Sequence, residues 1–226
     1  MGDTMNPGIL YIKGLTNKWI LPKVYHRVYN YESPIVQEAE RFMEKIEPEP
    51  KHVQQVTLIS QLLFREMQPW HHLTEHESYL LTAASLLHDI GWVRSPSGLG
   101  HHRHSGQMIR EFSWESLSEE EVVWVSLIAR YHTKNIPVAD DDTYFEKLPE
   151  SAQRLVTINS ALIRIADALD HSHRAIVKEL SIEKAGAEYV CRVEASGHLS
   201  SEVKKCAQRS DLFEKTFDHP FRLENS

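Results

Sequence analysis

Residues 75–90 read EHESYLLTAASLLHDI, and this stretch decides the fold. After a polar opening it is almost entirely apolar, which is typical of a helix at the centre of a core, and Gly91 is well placed to end it. His88 and Asp89 therefore lie at the C-terminal end of a core helix. A buried acid is costly unless a partner neutralises it, and that partner is either a metal ion or a neighbouring helix N-terminus or arginine.

Two more helices are predicted before this one. Ser33 followed by Pro34 opens the helix IVQEAERFMEKI, because proline suits the first helical position. From about Pro50, KHVQQVTLISQLLFREM has apolar residues three and four positions apart, as one face of a buried helix does. His52 lies in the first turn of this second helix.

Further helices follow residue 91. The stretch RSPSGLGHHRH (residues 94–104) is rich in Gly, Ser and Pro and is interpreted as a loop that leads into a short helix, SGQMIREF. Ser118 and Glu121 form a capping box, which opens a helix that ends at His132. SAQRLVTINSALIRIADALDHSHR is a long amphipathic helix with Asp167 near its end.

The pattern changes after residue 175, where LSIE and EYVCRVEAS alternate apolar and polar residues as strands do. A helical stretch and a last short strand, PFRLE, follow. The sequence therefore predicts a mainly α protein: a helical bundle with a small C-terminal α+β (β-α-β) appendage. The predicted parts are an irregular arm at 1–31, a helical domain at 32–174 and the appendage at 175–226.

Composition limits the function. The 226 residues are 41% hydrophobic and carry a formal charge of −7, which fits a folded domain without a broad nucleic-acid surface. The chain has two cysteines and no run of the ~20 apolar residues that span a bilayer, so we expect a reducing, cytoplasmic location and no membrane. Fourteen histidines are many for this length, and histidine is the commonest metal ligand.

Candidate metal ligands recur along these helices. Imidazole and carboxylate together suit Mn, Fe, Zn and similar ions, and the set is large enough for one octahedral ion or for two ions bridged by Asp89. The candidates are His52, His88, Asp89, His104, His132 and Asp167. His101 and His102 share the loop of His104, and His102 remains an alternative to it.

The ordered series His52, SLLHDIG, RYH and RIAD resembles the H…HD…D signature of the HD superfamily of metal-dependent phosphohydrolases. Four further segments resemble the C-terminal HD region of the exopolyphosphatase/guanosine pentaphosphate phosphatase family. They are HHRHSGQMIR, SLIARYHTKNIP, LIRIADALDHSHR and RSDLFEKTFDHPFRLE. The resemblance implies an all-helical HD body with a small α+β tail. Members of that family carry an actin-like module with their phosphatase site before this region, whereas about thirty residues precede the match here. Polyphosphate hydrolysis is therefore not carried over, and any chemistry is expected at the HD site.

On this hypothesis one or two divalent ions (Mn, Fe or Mg) activate water for attack on a small phosphorylated substrate, such as a nucleotide. His52, His88, Asp89 and Asp167 hold the first ion, while His104 and His132 hold a second ion or touch substrate. Asp170 and His171 follow Asp167 by one helical turn and are candidates for an outer shell or a proton donor. The candidate phosphate-binding cations are Arg103, Lys134 and Arg174. The alternative function is a non-catalytic HD module that binds metal, nucleotide or a partner, and the sequence leaves a homodimer open.

Overall fold

The structure is a computed structural model that describes residues 32–47, 49–133 and 143–225. The predicted arm at 1–31 and the predicted phosphate-binding Lys134 lie outside the described residues. The helical body consists of seven α-helices and a 3-10 turn in the described ranges. Their bounds are α1 Pro34–Ile46, α2 Pro50–His71, α3 Glu75–Leu87, the 3-10 turn Ile90–Val93, α4 His101–Glu111, α5 Glu119–Arg130, α6 Thr143–Glu146 and α7 Glu150–Leu169.

The apolar helix predicted from residues 75–90 lies at the centre of the body. α3 packs against α1, α2, α5 and α7, and its apolar side chains from Leu80 to Leu87 are almost completely buried. Helices whose apolar stripes face one another bury those stripes together, which is the main source of stability in such a bundle. The prediction of a mainly helical body is confirmed.

Local hydrogen bonds fix where the helices start. The capping box predicted at Ser118 and Glu121 is present, and Thr74 and Glu77 form a second one at the start of α3. Gly91 does more than end α3: a Cβ atom there would lie 2.0 Å from the carbonyl oxygen of His101. Only glycine therefore allows the end of α3 to approach the start of α4 this closely.

The C-terminal appendage is a three-stranded sheet with two short helices. β1 (Val177–Ala185) pairs antiparallel with β2 (Glu188–Ala195), and β2 pairs parallel with β3 (Phe221–Asn225). The small α+β appendage is confirmed, but two helices, α8 (Ser200–Ala207) and α9 (Asp211–Phe217), replace the single predicted one. The chain turns at residues 208–210 because the Arg209 and Ser210 amides both donate to the Cys206 carbonyl oxygen.

The appendage packs directly on the helical body. α8 and α9 contact α7, β1 contacts α2, and the Gln55 side-chain amide donates to the Val177 carbonyl oxygen at 2.7 Å. The domain boundary at residue 175 stays a prediction. Within the described ranges, none of the helices is long and apolar enough to cross a membrane.

Candidate metal centre

Five histidine and aspartate side chains meet where the ends of four helices converge. His52 lies in the first turn of α2, His88 and Asp89 directly follow α3, and Asp167 lies in the last turn of α7. His132 follows α5 by two residues. Each of these side chains lies within a helix end or no more than two residues beyond one, which is how a bundle positions a polar site in its interior.

A further histidine, His101, joins the cluster from the start of α4. Its Nε2 atom lies 3.4 Å from the Asp89 Oδ1 atom and 3.2 Å from the His132 Nε2 atom. The close approach at Gly91 brings this helix start beside Asp89. The Trp92 indole stacks on the His101 ring with centroids 4.8 Å apart, which holds the ring plane in place.

The four histidine rings all turn the same nitrogen atom toward the cluster. In each ring the Nδ1 atom lies against an atom that can only accept a hydrogen bond, so Nδ1 carries the proton and Nε2 points into the cluster. The acceptors are the Asp170 carboxylate for His52 at 2.9 Å, the Ser85 carbonyl oxygen for His88 at 2.7 Å, the Gly98 carbonyl oxygen for His101 at 2.8 Å and the Ala129 carbonyl oxygen for His132 at 2.6 Å. Metal-binding histidines show this arrangement, because the outer hydrogen bond selects the tautomer and orients the ring.

The inward Nε2 atoms surround two carboxylates. His88 and His132 approach Asp89 at 3.5 and 3.4 Å, and His52 approaches Asp167 at 3.6 Å. Two overlapping groups have ligand atoms within 4.8 Å of one another: His52, His88 and Asp167, and His88, Asp89 and His132.

The chemistry of these donors fits a divalent metal ion. The His88 Nε2 atom and the Asp89 Oδ1 atom are buried, and neither has a hydrogen-bond partner. Buried polar atoms without partners are rare and costly in proteins, so an ion that accepts their lone pairs would remove a penalty. Imidazole nitrogen and carboxylate oxygen together suit Mn, Fe or Zn.

The charges of the centre also favour a cation. Burial opposes ionisation of Asp89 and Asp167, but histidine contacts outweigh it: His88 and His132 hold the pKa of Asp89 well below its usual range, and His52 lowers the pKa of Asp167 to about 2. Burial likewise opposes the protonation of His52, yet Asp167 and Asp170 raise its pKa to about 10. Burial lowers the pKa of His88 to about 4. Two carboxylates are thus ionised beside a neutral His88 ring at neutral pH.

A cavity of about 450 Å³ opens over the cluster. The His173 ring stacks on the His52 ring with centroids 3.8 Å apart and forms part of its wall. Glu47 also lines it, and burial raises the pKa of this carboxyl to about 7. One guanidinium, that of Arg209 from the turn between α8 and α9, lines the cavity too. A volume of this size suits a small molecule.

The loop histidine that lies against the cluster is not the one predicted as a ligand, and the ligand role of His104 stays a prediction. The structure places His101, rather than His104 or the alternative His102, against Asp89 and His132. The reason is that α4 begins at His101, in the stretch that the sequence predicts as loop, after Gly100 with a φ of 75°. Of the three histidines in HHRH, His101 is the one that lines the cavity.

Asp170 and His171, the candidates for an outer shell or a proton donor, lie in different environments. Asp170 is buried, with one oxygen bonded to the His52 ring and the other to the Ala175 amide, so it orients the His52 ring and does not line the cavity. His171 is exposed and lines the cavity. Of the predicted phosphate-binding residues, Arg174 bonds Ser172 and the His198 carbonyl oxygen, and neither Arg174 nor Arg103 lines the cavity.

Sequence reasoning missed His101 and Arg209. The three histidines of HHRH look alike in sequence, and only the starting residue of α4 separates them. Arg209 lies more than forty residues after Asp167 in a turn without any recognisable motif. No sequence signal that we can name would have found it.

Comparison with known proteins gives one finding. A family model described as Ppx/GppA phosphatase, domain III, matches residues 36–209, which is well over half of the chain. The matched range covers every member of the cluster described above. No curated protein matches the chain.

Proposed function

We propose a function from one premise: the chain belongs to the Ppx/GppA phosphatase, domain III, family. Together with the histidine and aspartate cluster, that membership supports a phosphohydrolase that acts at its own site on a phosphate ester or anhydride, such as a nucleotide or polyphosphate. The reaction takes place at an HD-type centre with one or two divalent ions. Cytoplasmic location and a homodimer stay predictions.

One observation carries this proposal. Four histidines anchor Nδ1 on fixed acceptors and aim Nε2 at two ionised carboxylates, in a cavity large enough for a small substrate. Histidines that serve only packing have no need of a shared inward direction. The arrangement therefore supports a metal-binding role more strongly than a set of satisfied core histidines.

The two overlapping groups of donor atoms would form two separate metal sites. His52, His88 and Asp167 would hold one ion, while Asp89 and His132, with His101 beside them, would hold a second. Because a single Nε2 lone pair binds one ion, His88 belongs to only one of the two. A metal ion in this centre would lower the pKa of a bound water from ~15.7 toward ~7 and polarise a phosphoryl oxygen.

The remaining residues have supporting roles. Asp170 keeps the His52 Nδ1 atom protonated, so that its Nε2 atom is the one presented to the centre. His52 is protonated at neutral pH without metal, and binding of an ion through its Nε2 atom would release that proton. The exposed His171 at the cavity is a candidate proton donor for the leaving group.

The test is elemental analysis of purified wild type beside Asp89→Ala, together with a phosphate-release screen. The screen covers nucleotides and short polyphosphates with added Mn, Mg or Fe. Asp218→Ala, at the end of α9 and outside the cavity, is the control for loss of one aspartate. We expect one or two ions and turnover in wild type and control, and loss of both in Asp89→Ala. A metal-bound protein that releases no phosphate would favour the non-catalytic HD module, and a metal-free inactive protein would remove the enzyme proposal.

A further inference from the structure

Arg209 reaches the metal centre from outside the helical body. It lies two residues after the end of α8, and its amide donates to the Cys206 carbonyl oxygen at 2.9 Å, which fixes the turn. Its side chain lines the same cavity as Asp89, Asp167 and His171. The C-terminal appendage therefore contributes a positive charge to the wall of the candidate site.

The Arg209 guanidinium has no acceptor in the described part of the chain. Its Nε and Nη1 atoms are buried and form no hydrogen bond. By contrast, the surface residue Arg222 forms ion pairs with Glu188 and Glu224. A buried donor without an acceptor costs free energy, and for a charged group the cost is larger. A ligand oxygen in the cavity would supply the missing acceptor.

A second buried arginine, Arg164, also has donors without partners. Arg164 is only 1% exposed, and its Nε and Nη1 atoms also lack partners, while its Nη2 atom donates to Asp211 at 2.5 Å. Burial lowers the pKa of Arg164, the Asp211 carboxylate raises it and the positive charge of Arg209 lowers it again. Asp211 is the one carboxylate among the described residues that pairs with either of them.

We propose that Arg209 binds the phosphoryl oxygens of the substrate, so that the α+β appendage is part of the active site. The inference rests on the proposed function. A guanidinium is planar, and its N–H groups form a fork that matches two phosphoryl oxygens, which an ammonium group cannot do. The ligand class is a phosphate monoester, an anhydride or inorganic phosphate. Arg209 takes the role that the sequence predicted for Arg103, Lys134 and Arg174.

The experiment is a calorimetric titration of inorganic phosphate into the metal-free and the manganese-loaded protein. It compares wild type, Arg209→Ala and Arg209→Lys with the control Lys204→Ala, which removes one positive charge from the exposed face of α8. We expect Arg209→Ala to weaken phosphate binding about ten- to a hundredfold and Arg209→Lys to weaken it less. Lys204→Ala should keep the wild-type affinity.

Thermal unfolding separates ligand binding from a structural role. Because the buried Nε and Nη1 atoms of Arg209 form no hydrogen bond within the described ranges, Arg209→Ala should melt at the wild-type temperature or above it while its metal content is unchanged. If Arg209→Ala does not fold, Arg209→Lys decides the question: weaker phosphate binding at an unchanged melting temperature supports the proposal. Wild-type affinity in a folded Arg209 variant, or a wild type that binds no phosphate in either state, overturns it.

The phosphate-release screen and the phosphate titration test the two proposals separately. Phosphate binding through Arg209 without phosphate release from any substrate would support the present inference and contradict the proposed catalytic function. Turnover that Arg209→Ala leaves unchanged would support the proposed function and contradict the inference about Arg209.

Discussion

Replacing Asp170 by alanine should weaken metal binding although Asp170 does not face the centre. The side chain is 1% exposed, and its Oδ2 atom accepts the His52 Nδ1 proton at 2.9 Å. Its Oδ1 atom accepts the Ala175 amide at 2.8 Å. In Asp170→Ala nothing fixes the tautomer of His52, and its Nε2 atom no longer has to be the ligand.

The size of the effect follows from the bond that is lost. A hydrogen bond to a charged acceptor contributes about 1.5–3 kcal/mol, and this range corresponds to roughly a 10- to 150-fold change in an equilibrium constant. Removal of outer-shell partners of metal ligands typically costs about 10–100-fold in affinity. We therefore expect the dissociation constant for Mn²⁺ to rise about 10–100-fold.

The assay is competition with a chromophoric chelator at fixed pH. Glu38→Ala is the matched control, because Glu38 is also a buried carboxylate with backbone donors but bonds residues 115 and 116, away from the centre. Both variants should lose stability, and only Asp170→Ala should lose metal affinity. A folded Asp170→Ala protein that binds Mn²⁺ as tightly as Glu38→Ala would refute the reasoning.

Two further predictions concern the loop histidine and the Glu38 carboxylate. His101→Ala should lower the metal content of the purified protein, whereas His104→Ala should leave it at the wild-type level; equal contents would contradict the placement of His101. Burial opposes ionisation of Glu38, but the Ser116 hydroxyl and the Glu115 and Ser116 amides outweigh it and lower its pKa. The stability that depends on its ionisation is therefore complete above the ordinary glutamate pKa of ~4.3 and is lost as the pH falls through the lowered pKa. Denaturant unfolding from pH 7 to 3 should show a smaller loss of stability for Glu38→Ala than for wild type, and parallel pH dependences would contradict this account.

Most of the fold could be predicted because the spacing of apolar residues shows which face of a helix or strand is buried. The apolar run after residue 79 predicted the central position of α3, and the pair Ser118 and Glu121 predicted the start of α5. Alternation at residues 188–195 predicted β2. The break between α8 and α9 was missed, because residues 208–210 carry no glycine or proline to mark it.

The candidate centre was predictable only in part. Histidine and aspartate at helix ends could be identified from sequence, since those residue types and the helix limits are local properties, and the structure brings His52, His88, Asp89, His132 and Asp167 together. Their role as ligands stays a prediction. The choice between His101 and His104 depended on the first residue of α4, and helix starts are among the least certain features of a sequence pattern.

The sequence by itself determined the helical body, the small α+β appendage and the residue types that can bind a cation. The spacing of apolar residues and the chemistry of each side chain are local properties that can be identified without the fold. Tertiary structure alone decided that Gly91 lets α4 approach α3 closely enough for His101 to reach Asp89. It also decided that Arg209 of the appendage, rather than Arg103 or Arg174, lines the cavity. Such contacts join residues far apart in sequence, and they depend on how the elements pack against one another rather than on any local pattern.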